Sequence, residues 1–523
     1  MRIFLDDVYD RRMSVLSYVD NQRKEVSLAE IGKATKLSKK TVSMIIKQFE
    51  QELDVSKEQF EVYYTNQTIQ GVYANNIDIV SISNKHLKHS ILYKMIKHLF
   101  LMDRIDAITF CDIEFISPAT FSRHRRRLQK ILNRCELSLT RTNEIEGDEL
   151  RIRNFFFLFF SNALNSWTFD KHSYLEIENY LSDHIPEWDN LDSIKKEKLC
   201  LLLYICNIRI SHKKNIEKSI LSKLSEQFHD GFYTNLFFDY FHLHKNRTEQ
   251  QSWDETSAVL FLIYKERLSH EESFEIEEYP KFFNETNFEF IKYSNLLTNQ
   301  IIATFFQGAT TPAIYWEIRK EIDMMHLLFE TSFIDPRMFY YIYDENSFYY
   351  ADAAEQKIQL GVQNLMHKLI EETEYGLFFK IIKKSINQET LIDYIYLVVY
   401  TILTKFLQME FPKVKILIRN SKIFVEPILR QKISLIFSDK VEFVESQNAA
   451  PDIIVTDIQL QKVESEAKVI FISSFSNSFD FSLLLEEIEE KILMFYYERK
   501  GTMSNKEVTT PLIGGYEERK FCH

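Results

Sequence analysis

The most chemically distinctive segment of this sequence is a run of cationic side chains between residues 118 and 134. The segment PATFSRHRRRLQKILNR contains six arginine and lysine residues and no acidic residue. Like charges at helical spacing repel one another, so this density favours a polyanionic ligand, and the major groove of a DNA duplex admits one helix. We therefore predict contacts to double-stranded DNA from the polar residues of this segment: Thr120, Ser122, Arg123, Arg126, Arg127 and Lys130.

The helix that carries these cations is predicted to begin at Ser117-Pro118, an N-cap residue followed by proline at the first helical position. Its apolar stripe places either His124 or Arg125 on the buried side, so not all six cations can face DNA. Arg125 is expected to pack its methylene stem, and His124 is expected to pack or to contact backbone rather than to bind a metal. The stripe consists of Phe121, Leu128, Ile131 and Leu132.

Two helices are expected ahead of the cationic helix. The apolar spacing predicts an amphipathic helix over residues 84–102 and a short helix over about 104–113. Together with the cationic helix and a short wing, they make a winged helix-turn-helix unit over residues 84–160.

The N-terminal segment SLAEIGKATKLSKKTVSMIIKQFEQEL follows the same plan of two helices around a tight turn. Ser27 and Glu30 predict a capping box for a helix ending near Thr35, and Ser38 predicts the N-cap of the next helix. The following FEVYYTNQTIQGVYA predicts two strands around a polar turn, as in a wing. We predict DNA contacts from the polar face of the second helix: Lys39, Lys40, Ser43 and Lys47. For both cationic helices, a solvated face is the alternative interpretation.

Composition places these segments in a large helical protein. Few glycines (10) and prolines (9) in 523 residues favour a mainly helical chain of several domains. The net charge of −12 is uneven: residues 1–160 hold 25 Lys and Arg against 21 Asp and Glu, whereas the rest hold 39 against 55. A basic head on an acidic body places any anionic polymer at the N-terminal end.

Five cysteines without a CxxC pair predict no disulfide frame, zinc site or other metal, and no cofactor is expected. Asp6 and Asp7 argue against a signal peptide, so a cytoplasmic location is expected.

The segment FISPATFSRHRRRLQKILNRCELSLTRTNEIEGDELRIRNFFF resembles the second helix-turn-helix of the Mga/AtxA regulators of Gram-positive bacteria. In that family a Ser-x-x-Thr helix precedes a short wing and a Gly-Asp-Glu-x-x-Ile-Arg exit. The matching positions here are Ser117, Thr120, Gly147, Asp148, Glu149, Ile152 and Arg153. At Arg125 the family tends to carry an apolar residue.

The resemblance implies that the aromatic-rich helical stretch after residue 160 contains two phosphotransferase regulation domains, over residues 170–280 and 285–405. Such helical bundles pair across dimers, and a histidine in them can accept a phosphoryl group from the sugar phosphotransferase system. His184 follows an aspartate, and His212 is followed by two lysines that would favour added phosphate. We take both as candidates, with an ordinary surface or core imidazole as the alternative for each.

The C-terminal part, over residues 412–500, alternates short apolar strands with helices and predicts a small parallel α/β domain. It resembles the IIB subunit of sugar phosphotransferases, in which a cysteine nucleophile follows the first strand. Here that loop is Arg419-Asn420-Ser421, so thiolate chemistry is excluded and a docking or dimerisation surface is expected. Residues 501–523 lack periodicity and predict a flexible tail.

The sequence thus predicts a DNA-binding transcription regulator, most simply an activator, that is not an enzyme and has no catalytic residues. It would form a homodimer through the IIB-like domain and the helical domains, with two winged helix-turn-helix units over residues 1–75 and 84–160. Phosphotransferase-system proteins are its possible protein partners, and no membrane is involved. An RNA-binding antiterminator, a phosphotransfer enzyme and a docking protein without DNA binding are the alternatives.

Overall fold

The computed structural model is mainly helical, as the sequence predicts, and its described part contains three small sheets. By residue contacts the chain forms two compact bodies: residues 1–295, 320–348 and 374–391, and residues 296–319, 349–373 and 392 onward. The expected join between helical domains near Pro280 and the predicted tail lie outside the described residues. The structure describes residues 1–492 except 23, 164–166, 168, 187, 217–231, 246, 267, 269–287, 307–311, 340–352, 407–412, 420–424, 447–448, 458–466 and 473–480.

The first winged-helix unit folds as its capping residues predict. The Ser27 hydroxyl accepts a hydrogen bond from the Glu30 backbone N–H at 3.3 Å, and the Glu30 carboxylate accepts one from the Ser27 N–H at 2.9 Å. The wing strands turn at Asn66 and Gln67, whose φ values of 48° and 62° suit a tight hairpin. Its elements are α1 (Asp7–Gln22), β1 (Val26–Ser27), α2 (Leu28–Thr35), α3 (Lys39–Glu52), β2 (Phe60–Thr65) and β3 (Thr68–Ala74), with strand order β1-β3-β2.

The second winged-helix unit differs from the prediction in one helix. The single helix expected over residues 84–102 is two helices, because Ser90 adopts an extended conformation with ψ of 138°. The cationic helix begins and ends where the sequence predicts. The elements are α4 (Ile79–His89), α5 (Ile91–Met102), α6 (Ala107–Ile113), α7 (Pro118–Arg134), β4 (Ser138–Leu139) and β5 (Ile145–Glu146).

The break at Ser90 is stabilised by a residue far away in sequence. The Asp6 backbone N–H donates to the Ser90 hydroxyl at 3.1 Å, and the Asp6 carboxylate accepts from the Ile91 N–H at 3.2 Å. Asp6 therefore satisfies an N–H at the start of α5, which would otherwise be an orphan donor. The apolar spacing runs through the break without interruption, so local pattern could not reveal it.

A phenylalanine-rich helix, α8 (Glu149–Ala163), connects the second unit to the helical region. Phe155 to Phe160 are all almost fully buried. The ring of Phe159 lies 4.9 Å from that of Phe4, and Phe156 and Phe160 each lie 5.1 Å from Phe100. The six consecutive apolar residues thus pack on all sides, which is the pattern of a buried helix.

The exit from the second wing is fixed by buried ion pairs. The Glu149 carboxylate accepts from Arg209 at 2.7 and 2.9 Å and from Arg153 at 3.0 Å. Arg153 also pairs with Glu255, and both side chains are 1% exposed. Gly147 has φ of +155°, and a Cβ there would lie 2.5 Å from the Leu137 side chain. Glycine is therefore required where the chain enters α8.

The helical region continues through long helices and is interrupted by π-helical turns at Tyr240–His244, in the first body, and at Ile302–Phe306, in the second. The remaining helices of the two bodies, in chain order, are α9 (Lys171–His184), α10 (Ser193–Ser211), α11 (Phe232–Asp239), α12 (Glu249–Lys265), α13 (Phe290–Ile301), α14 (Pro312–Thr331), α15 (Ala353–Glu372), α16 (Tyr375–Ile382) and α17 (Gln388–Phe406).

The C-terminal part of the second body is a parallel sheet, as predicted. Its elements are β6 (Val414–Arg419), α18 (Val425–Phe437), β7 (Val441–Phe443), β8 (Ile453–Thr456) and β9 (Lys468–Phe471). Strand order is β7-β6-β8-β9, and every pairing is parallel. The helix α18 and the helical residues 481–492 contribute Leu429, Ile433, Leu484 and Ile488 to the core of this domain.

We expect Glu255→Gln to lower the free energy of unfolding by about 3–5 kcal/mol, because it removes the more deeply buried of the two carboxylates that pair with the buried Arg153 guanidinium. The matched control is Glu445→Gln, which removes a carboxylate that pairs with Arg430 but is 82% exposed. This control should cost less than about 1 kcal/mol. Urea titration followed by far-UV circular dichroism would measure both, and equal losses in the two variants would contradict a buried anchor at Arg153.

Candidate DNA interface

The two winged-helix units repeat each other at a fixed offset of 79 residues. The N-cap of α2 is Ser27 and that of α6 is Asp106, while Ser38 and Ser117 cap α3 and α7. In both units the second helix follows a tight turn whose central residue has a positive φ, 57° at Lys36 and 51° at Phe115. We call α3 and α7 the recognition helices, because each occupies the second position of its helix-turn-helix.

Both recognition helices begin with the same local structure. The Ser117 hydroxyl accepts from the Thr120 N–H at 3.1 Å and lies 3.0 Å from the Thr120 hydroxyl. Ser38 makes the same contacts to Thr41, at 3.2 and 2.8 Å. The Ser-x-x-Thr pattern therefore stands in both units. Sequence reasoning identified it only in the second, although the shared offset was present in the sequence.

The exposed face of α7 carries most of the residues predicted to contact DNA. Ser122, Arg123, Arg126 and Lys130 are exposed, and Thr120 is half-buried behind the N-cap. Arg123, Arg126 and Lys130 follow one another at helical spacing, so they share one side of the helix. Within the described part of the chain, none of these three cations forms an ion pair, although Arg126 donates weakly to the Ser122 carbonyl at 3.4 Å.

Two other cations of α7, Arg125 and Arg127, are engaged within the protein. Arg125 donates to the Asn143 side chain at 2.6 Å and to the Thr140 carbonyl at 2.7 Å, so it fastens the wing to the helix. Arg127, predicted as a DNA contact, donates to the Ile3 carbonyl at 2.8 Å and lies 3.6 Å from an Asp7 carboxylate oxygen. The structure therefore does not bring Arg127 together with the three exposed cations.

His124 is the residue that the apolar stripe buries. Its side chain is 9% exposed, and Nδ1 lies 3.7 Å from Asp6 Oδ1. Burial lowers the pKa of His124, and the nearby Asp6 carboxylate opposes this shift. The residue thus packs against the N-terminal segment. Sequence reasoning left the choice between His124 and Arg125 open, and the structure gives the buried position to His124.

The second wing adds a cation that sequence reasoning missed. Strands β4 and β5 pair antiparallel, and the connecting loop places Arg141 in an exposed position. The signal was a polar Thr-Arg-Thr-Asn turn between two short strands. An arginine at the tip of a wing can reach a phosphate or a minor groove beside the recognition helix.

The first recognition helix presents a weaker version of the same surface. Lys39, Lys40 and Lys47 of α3 are exposed, and Ser43 is half-buried. At the common offset, Ser43 corresponds to Ser122 and Lys47 to Arg126. The two units therefore place a serine and a cation one turn apart at the same positions.

The two candidate phosphoacceptor histidines each have one ring nitrogen engaged by a backbone carbonyl. His184 Nδ1 lies 2.8 Å from the Tyr180 oxygen, and its ring stacks on Tyr180 with the centroids 4.3 Å apart. His212 Nε2 lies 3.1 Å from the oxygen of Leu101, at the end of α5. A carbonyl fixes the proton on the nitrogen it contacts and leaves the lone pair on the other nitrogen.

This geometry defines a protein with two winged helix-turn-helix units whose recognition helices present polar and cationic faces. Residues 75–160 match the family model described as the Mga helix-turn-helix domain. The resemblance to the Mga/AtxA regulators is confirmed for this segment, and the match supports a DNA-binding transcription regulator. No curated protein matches the chain. Within the described ranges, no helix is long and apolar enough to cross a membrane, and no cluster of three or more acidic, histidine or cysteine side chains could hold a metal.

We expect Arg125→Ala to loosen the second wing, because the guanidinium joins α7 to Thr140 and Asn143. Amide hydrogen exchange over residues 138–146 should become faster in this variant, while the exposed neighbour Arg123→Ala should leave it unchanged. Removal of two hydrogen bonds corresponds to about 1–3 kcal/mol of local stability. Unchanged protection of the wing in Arg125→Ala would show that Arg125 does not fasten it.

Proposed function

We propose that this protein is a cytoplasmic transcription regulator that binds duplex DNA through the exposed face of α7, assisted by α3. The observation that carries the proposal is the common outward face of Arg123, Arg126 and Lys130, with no ion pair to these cations in the described chain. Cations in such a position release counterions from the phosphate backbone and supply affinity. Thr120 and Ser122, near the helix start, would contact base edges or phosphates.

The N-terminal architecture favours this proposal over the RNA-binding alternative. An antiterminator would carry a small β-rich RNA module ahead of its regulation domains, whereas residues 7–74 fold as a winged helix. Lys39, Lys40, Ser43 and Lys47 of α3 give the first unit its own contribution to DNA binding. Arg127 has a different part in the proposal, because it joins α7 to residues 3–7 and would position the helix instead of meeting the duplex.

The salt dependence of binding tests this assignment. In a plot of the logarithm of affinity against the logarithm of salt concentration, we expect a shallower slope when alanine replaces Arg123, Arg126 and Lys130. The slope should change by about 0.9 for each phosphate that is no longer neutralised. The matched control is Arg127→Ala, which removes a cation from the same helix but should change this slope much less. Fluorescence anisotropy with a promoter duplex would measure both. A slope that is unchanged in the triple variant would contradict the proposed interface.

We further propose that phosphorylation by the sugar phosphotransferase system tunes this regulator, with His212 as the favoured acceptor and His184 as the second candidate. His212 contacts the Leu101 carbonyl at the end of α5, so a phosphate there would lie beside the second winged-helix unit. Lys213 is exposed next to it, and Lys214 lies 3.2 Å from Asp103. A phosphate adds nearly two negative charges, which would compete with the Asp103 carboxylate for Lys214. This competition would shift the contact between His212 and the end of α5.

Phosphate transfer can be tested with purified components. We expect the phosphotransferase carrier proteins and phosphoenolpyruvate to label the wild type with acid-labile phosphate, His184→Ala to retain the label and His212→Ala to lose it. Mass spectrometry under neutral conditions would locate the modified residue. Full labelling of the double variant would reject both histidines, and loss of the label in His184→Ala alone would move the site to the second candidate.

We also propose a homodimer that forms through the C-terminal IIB-like module and the helical regions. Helix α18 supports this, because apolar side chains lie on its outer side. Leu435 is 78% exposed, Ile436 is 54% exposed and Ile428 is 41% exposed. Large apolar side chains grouped on one helix typically mark an interaction surface. The loop expected to replace the enzyme's cysteine loop lies outside the described residues apart from Arg419.

A further inference from the structure

The first helix of the second helix-turn-helix exposes large apolar side chains. Ile108 is 75% exposed, Ile113 is 58% exposed and Phe115, in the turn after α6, is 95% exposed. Single exposed apolar residues are ordinary, but a group within eight residues of one another indicates an interaction surface. We call Ile108, Asp112, Ile113 and Phe115 the α6 face.

Phe115 has an unusual backbone as well as an exposed ring. Its φ of 51° places it in the left-handed region, in a turn closed by the Ile116 N–H, which donates to the Cys111 carbonyl at 3.0 Å. This position at a helix C-terminus usually belongs to glycine or asparagine, since a bulky side chain is strained there. The protein therefore retains a strained and exposed phenylalanine from which the fold gains no buried contact.

The first winged-helix unit shows that the fold does not require these residues. In its turn, the Leu37 N–H donates to the Gly32 carbonyl at 3.0 Å, and Lys36 has φ of 57°. The same backbone is thus built with a lysine in place of the phenylalanine. At the offset of 79 residues, the counterparts of the α6 face are all exposed and are small or basic: Ala29, Lys33, Ala34 and Lys36.

The charge of the α6 face argues against a phosphate ligand. Residues 105–117 contain Asp106, Asp112 and Glu114 and no lysine or arginine, in contrast to α7 directly after them. Glu114 is paired with Lys94, but Asp106 and Asp112 are exposed. A hydrogen bond from the Thr109 N–H to Asp106 lowers the pKa of this carboxyl, so it is ionised at neutral pH. An apolar and acidic surface complements a basic, apolar protein surface and repels DNA.

We propose that the α6 face docks a basic protein surface that occupies the same promoter, namely that of the RNA polymerase holoenzyme. The inference rests on the proposed function, because the face follows directly on the recognition helix and would be held beside the duplex when α7 binds. A protein bound to adjacent DNA must itself present cations to phosphate, and the polymerase is the protein that a transcription regulator meets at a promoter. Contact there would raise polymerase occupancy.

The test separates docking from DNA binding by using the full chain on a footprinted promoter fragment with purified polymerase holoenzyme. The face variant combines Ile108→Ala, Ile113→Ala and Phe115→Asn. These changes add no charge, and asparagine at position 115 tolerates the positive φ of the turn. The control is Val80→Ala, which trims a 43% exposed apolar residue elsewhere in the second unit. Thermal unfolding should change little in both, because the trimmed side chains are largely exposed.

We expect the wild type and the control to raise polymerase affinity for the fragment about tenfold, and the face variant less than about twofold. The face variant should bind the fragment alone with unchanged affinity and salt slope. Asp112→Lys, which reverses a charge on the face, should also weaken the effect on polymerase, and a stronger effect would show that the partner is not basic.

Other outcomes would overturn the proposal. Loss of DNA affinity in the face variant would assign the face to the duplex, and a changed sedimentation coefficient would assign it to a second copy of this chain. Two results would reject the docking role. In one, the face variant raises polymerase affinity as much as the wild type does; in the other, the wild type binds the fragment but does not raise polymerase affinity. Failure of the wild type to bind DNA at all would instead reject the proposed function.

Discussion

The orientation of α7 follows from the stripe that the helix buries. Phe121, His124, Leu128, Ile131 and Leu132 all face inward, so the helical period directs Arg123, Arg126 and Lys130 outward. The desolvation cost of turning these cations inward would be several kcal/mol for each ion. The surface proposed to meet DNA is therefore a consequence of packing, and the wing and the N-terminal segment are built around the same helix.

Long-range contacts tie this helix to the rest of the first body. Residues 3–7 touch α7 through Arg127 and His124, and Asp6 also satisfies the start of α5. At the other end of the second unit, Glu149 lies between Arg153 and Arg209 and fixes the entry to α8. Packed and charged groups thus connect the surroundings of His212 and Glu255 with the second winged-helix unit.

Local signals were sufficient to predict the elements that carry the candidate site. The Ser27–Glu30 box, Ser38 and Ser117-Pro118 located three helix starts, and the apolar runs after residue 412 located the parallel strands. The features that local signals did not indicate depend on residues distant in sequence. The helix expected over residues 84–102 breaks at Ser90 with the help of Asp6, and Arg127 is bound by Ile3 and Asp7, 124 and 120 positions away in the sequence. No spacing within α7 distinguishes Arg127 from Arg126, since both lie on its polar side.

The exposed cations of α7 should lie against the duplex when the proposed regulator is bound to DNA. Arginine modification of the wild type by a glyoxal reagent, read by mass spectrometry with and without saturating promoter DNA, addresses this point without any substitution. We expect DNA to protect Arg123 and Arg126 and to leave Arg134, which is exposed at the far end of the same helix, reactive. Equal modification of Arg123 and Arg126 in the free and the saturated protein would contradict this expectation.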